Sequence, residues 1–136
     1  MSVRAEISVE SPGWTTVKDL SGLTERVLAA ACVAAGVETR SDAEVSLLFA
    51  DDATIRRLNR TWRKQDKPTN VLSFPTAGDV ETAPLLGDIA LAFETTEREA
   101  REQDKPVENH VAHLIAHGLL HLLGFDHESD NEAEEM

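Results

Sequence analysis

The sequence predicts an α+β fold: a single domain over residues 1–136, in which a mixed four-stranded sheet packs against helices, with a metal site at the C-terminal helix. Three observations carry that expectation. Short apolar segments of strand period alternate with longer ones of helical period in the order β-α-β-α-β-β-α-α. The length suits one domain that buries about two-thirds of its unfolded surface, and 41% of the residues are hydrophobic. Near the C-terminus three histidines, His117, His121 and His127, are spaced so that a helix and the turn after it can bring them together.

Residues 3–9 alternate Val3, Ala5, Ile7 and Val9 with Arg4, Glu6 and Ser8, as a half-buried strand does, and Ser11-Pro12-Gly13 breaks it. From Ser21 to Ala35 the positions Leu23, Val27, Leu28, Ala31 and Ala34 recur at helical spacing, with Gly36 as the stop. Glu44 to Ala50 reads as a second strand. Asp51 or Asp52 then caps a helix running to about Arg63, whose Ile55, Leu58 and Trp62 form an apolar row assigned to the core. Residues 65–70 form a polar turn, and Val71-Leu72-Ser73-Phe74 is a short strand stopped by Pro75. The continuous apolar run from Leu86 to Phe93 predicts a strand buried on both faces. Helices are expected over 94–103 and 107–123, separated by Asp104-Lys105-Pro106.

On the last helix His117 and His121 stand one turn apart on one face. Gly124 occupies the position where a left-handed residue ends a helix, and the turn it permits can fold His127 back as a third ligand. Three nitrogen ligands and one open position are the arrangement of a catalytic zinc, and Cys32, the one cysteine, lies far away in sequence. In the metallopeptidase motif H-E-x-x-H the residue after the first histidine is the general base. Here it is Gly118, so the peptidase reading loses its central residue while metal-assisted hydrolysis survives. Asp126 either orients a ligand imidazole or caps the turn. His113, one turn before His117, reads as a core-edge or surface residue more readily than as support for the ligands, and His110 carries no functional signal.

The net charge of −12 is unevenly spread. Residues 126–136 hold six acids and no Lys or Arg, whereas Arg56, Arg57, Arg60, Arg63, Lys64 and Lys67 put six of 13 basic residues within twelve positions. That cluster is either a solvated helix face or a phosphate site, and its density on an acidic chain favours phosphate. No run reaches the length of a membrane span and no signal peptide is evident, so the protein is expected to be soluble and cytoplasmic, without a membrane partner. A single cysteine excludes an internal disulfide.

Three segments together resemble the YbeY family of bacterial endoribonucleases: Leu58 to Pro75, Leu86-Gly87-Asp88-Ile89, and His117 to His127, within a resemblance covering residues 45–136. The resemblance implies an α+β sandwich and one zinc ion held by His117, His121 and His127, with Arg63, His117 and His121 as catalytic residues. It implies cleavage of single-stranded RNA in maturation of the 3′ end of 16S ribosomal RNA and in ribosome quality control, with the small subunit or a ribosomal protein as partner. The competing class is a ribosome-assembly factor whose zinc is structural and whose arginines dock RNA without cleaving it. Asn70 stands where many members have Asp, and neither residue is a ligand.

Overall fold

The computed structural model describes residues 3–36, 39, 43–64, 69–76, 79, 80 and 82–125. Strands β1 (Arg4–Val9), β2 (Glu44–Ala50), β3 (Val71–Pro75) and β4 (Leu85–Ala92) and helices α1 (Leu20–Ala35), α2 (Asp52–Arg63), α3 (Phe93–Glu102) and α4 (Val107–Leu122) follow in the order β1-α1-β2-α2-β3-β4-α3-α4. The sheet order is β1-β2-β4-β3. β1 pairs with β2 and β2 with β4 in parallel, Ile7 opposite Leu47 and Leu47 opposite Ile89. β3 closes the far edge antiparallel to β4, with Ser73 opposite Ile89. The sheet is therefore mixed, as expected.

Alternation divides the apolar residues between two faces. Val45, Leu47 and Phe49 of β2 with Ile89 and Leu91 of β4 face Leu28 of α1 and Val111, Ile115 and Leu119 of α4. Leu48, Leu72, Ala90 and Ala92 face the other way, against Ile55 and Leu58 of α2. β4 is buried on both faces because it is central and covered on each side, which is why its sequence reads as a continuous apolar run. α2 and α4 consequently lie on opposite faces of the sheet.

The strand registers shift once, between Glu44 and Val45, so that Gly87 rather than Leu86 pairs with Val45. Gly87 has φ +149°, and a Cβ there would meet Phe74 O at 2.5 Å and Leu122 Cδ2 at 2.7 Å. Only glycine admits both the conformation and the approach of α4.

Three expectations are corrected. Phe93 heads α3 instead of ending β4. An apolar run does not distinguish a strand end from a helix start, and a cap from another helix decides it: Asp52 of α2 accepts from the Thr95 amide (3.0 Å) and hydroxyl (2.9 Å), while Glu94 accepts from the Asp52 amide (2.8 Å). The break after β1 falls where expected, and residues Pro12–Thr16 there form a 3-10 turn that buries Trp14, whose indole N–H donates to Ala50 O at 2.8 Å. In α1 Leu23, Val27 and Ala31 pack against the core beside Leu28 as expected, but Thr24 and Cys32 complete the buried row and Ala34 is exposed. Trp62 is 67% exposed, and Asn59, 2% exposed, takes the inner place on α2.

Candidate metal and RNA site

α4 begins after Pro106, whose fixed φ suits a helix entrance, with Glu108 complementing the positive end of the helix dipole. Its inward face is His110, Val111, Leu114, Ile115, Gly118, Leu119 and Leu122. His117 and His121 border that face, half-buried and one turn apart. The inward face packs so closely because Gly118 has no side chain: a Cβ there would stand 3.0 Å from Ile89 Cγ2 and 3.1 Å from Ser73 Oγ. The Ser73 hydroxyl donates to Gly118 O at 3.4 Å, tying the edge strand β3 to the helix between the two histidines.

The helix ends in a Schellman motif. The Gly124 amide donates to His121 O (3.1 Å) and the Phe125 amide to Leu120 O (3.0 Å), with Gly124 at φ +99°. The expected glycine turn after the histidine pair is therefore present. His127 and Asp126 lie outside the described residues, as do Lys67 and the side chain of Arg63. Among the described residues no group of three His, Cys, Asp or Glu is placed to hold a metal ion. What they provide is two imidazoles one turn apart at the border of the inward face of α4, a donor pair that fits zinc.

The upstream histidines have a different role. His110 is 3% exposed, and its Nε2 lies 2.8 Å from Glu99 Oε1, which also accepts from Asn70 Nδ2 at 3.0 Å. His110 Nδ1 is buried and has no hydrogen-bond partner among the described residues. This bridge joins α4, α3 and the start of β3. Spacing alone did not reveal it, because Glu99 and Asn70 belong to other elements. His113 stacks on His110 with ring centroids 6.1 Å apart and is exposed. Desolvation first, then the Lys105 and His110 charges, lowers its pKa.

On α2, Asp51 is the N-cap, its Oδ1 accepting from the Thr54 amide at 2.8 Å. Hydrogen bonds from the Thr54 amide and hydroxyl, with a smaller contribution from Arg57, hold this carboxyl below its ordinary pKa. Arg56, Arg57, Arg60 and Lys64 are exposed, so the basic cluster is a surface feature. Its last helical position, Arg63, directly precedes the left-handed Lys64 that ends α2.

Fold and site together define an α+β protein with a mixed sheet, a histidine pair on its last helix and a basic helix across the sheet from it. The chain belongs to the endoribonuclease YbeY family, whose model matches residues 7–136. The match reaches back into β1, beyond the stretch that carries the motifs. Relatives named Endoribonuclease YbeY include one from Methylocella silvestris, 51% identical over 131 residues, covering 96% of this chain and 74% of the relative. Another, from Sinorhizobium fredii, is 49% identical over 140 residues, covering 96% and 80%. A solution structure of a Thermotoga maritima protein is similar at a TM-score of 0.59 and 28% identity, covering 96% of this chain and 77% of that one.

Proposed function

We propose that this protein is a zinc-dependent, single-strand-specific endoribonuclease of the cytoplasm that matures the 3′ end of 16S ribosomal RNA and acts in ribosome quality control. The observation that carries the reading is the His117 and His121 pair, half-buried on α4 immediately before the Gly124 turn, in a chain of the endoribonuclease YbeY family. His117, His121 and His127 would hold one zinc ion, which when bound supplies Lewis acidity at the scissile phosphate.

The remaining chemistry belongs to the chain. Arg63 binds the non-bridging phosphate oxygens, for which a guanidinium offers paired donors that stay charged at every relevant pH. Its positive charge stabilises the negative charge that develops as the phosphodiester is attacked. Arg56, Arg57 and Arg60 attract the RNA backbone to a protein that is otherwise acidic.

Incubation of the purified protein with single-stranded RNA, with and without chelator, tests the proposal. Chelator-sensitive cleavage that disappears in His121→Ala is expected, and Arg63→Ala should lose cleavage while retaining metal. Binding without cleavage by the zinc-loaded protein would instead assign it to ribosome assembly, with the small subunit or a ribosomal protein as partner.

A further inference from the structure

We propose that the indole of Trp62 is a stacking platform for an unpaired base of the RNA, a contact that rests on the endoribonuclease reading and adds to it a source of single-strand preference. The inner row of α2 runs from Ile55, 0% exposed, through Asn59, 2% exposed, to Trp62, 67% exposed. The row outlasts the sheet that covers it. The other tryptophan, Trp14, is 1% exposed, with Phe49 and Phe93 at edge-to-face distances of 4.9 and 5.3 Å. An indole left in water forgoes burial of some 150–250 Å².

A single exposed apolar side chain is ordinary, and the surroundings of Trp62 are what give it meaning. Among the described residues, Thr61, Arg60 and Lys64 beside it are exposed and polar. Positions 56, 60 and 63 place arginines at i, i+4 and i+7 along one flank of the same helix. Trp62 precedes position 63 by one residue, about 100° around the helix and 1.5 Å along it. Trp62 thus lies in the last turn of α2 with Arg60 and position 63, which stand about 160° and 100° around the helix from it. In the proposed contact the base lies on the indole and its phosphate meets the cationic residues of that last turn. In a duplex both faces of each base are covered by neighbours, so only an unpaired base can make this contact.

The test is binding of a short single-stranded 2′-O-methyl oligonucleotide, and of the same strand with abasic positions, to the zinc-loaded protein and to Trp62→Phe and Trp62→Ala. Stacking of one base predicts that Trp62→Ala weakens binding about ten-fold and that Trp62→Phe recovers most of the loss. Abasic substitution should weaken binding to the parent similarly and to Trp62→Ala little, and base binding should quench the emission of the exposed indole. Undiminished affinity of Trp62→Ala, or equal abasic losses in parent and variant, would overturn the stacking role. If the parent still cleaves single-stranded RNA in those cases, the endoribonuclease reading stands without it. A parent that neither binds nor cleaves single strands overturns both. Unchanged oligonucleotide affinity with lost binding to the small ribosomal subunit would assign the indole to a protein contact, against the proposal.

Discussion

Gly118 shows how one residue serves both packing and chemistry. It excludes a peptidase base, and the fold explains why a carboxylate is disfavoured there: a Cβ would stand 3.0 Å from Cγ2 of Ile89, fully buried in a central strand and stiff at χ1, which would have to give way. Gly118→Glu, which restores the H-E-x-x-H spelling, should destabilise the protein by about 2 kcal/mol or more through overpacking. Thermal unfolding is the check, and a variant as stable as its parent would contradict the close approach. Asp51 offers a residue-level test with a pH signature. Its carboxyl pKa is lower folded than unfolded, so the ionised cap contributes stability above the unfolded value of roughly 4 and loses it as pH falls through the folded value. Asp51→Ala should cost about 1 kcal/mol at neutral pH, and the gap between parent and variant should narrow in acid. Denaturant titrations at the two pH values would measure it; a gap independent of pH would mean that the charge of Asp51 is not what caps α2.

Among the elements, two polar joints decide how the helices sit. The caps exchanged by Asp52 and by Glu94 with Thr95 lock the N-termini of α2 and α3 together, satisfying amides that neither helix can satisfy internally. The Asn70, Glu99 and His110 bridge joins β3, α3 and α4, and therefore the strand that follows the Arg63 loop to the helix that carries His117 and His121. Glu99→Ala leaves a buried amide and imidazole without their shared acceptor. A loss of about 1–3 kcal/mol is expected in urea unfolding. Glu99→Gln, which keeps an acceptor oxygen, should lose less; equal losses in the two variants would show that the bridge matters through its volume and not its hydrogen bonds.

For the whole molecule, the organising fact is that the sheet separates the basic helix from the histidine helix, with the edge strand β3 packed against both. A ligand that binds only the folded protein raises its stability by mass action. The unfolding temperature should therefore rise with free zinc and fall on chelation, whereas His121→Ala should respond to neither. An unfolding temperature indifferent to zinc in the parent would remove zinc from the proposed site. Element types and most boundaries were legible in the chain because they depend on local periodicity and caps: β2 ends at Ala50, α2 at Arg63, and the Gly124 turn lies where its glycine implies. The paired histidines were legible for the same reason, since four residues make one helical turn. The sheet order, the placement of α2 and α4 on opposite faces, the exposure of Trp62, and the burial of His110 against Glu99 depend on contacts between residues distant in sequence. Periodicity states which side of a helix is apolar; only the packed sheet determines how far along the helix that side stays covered.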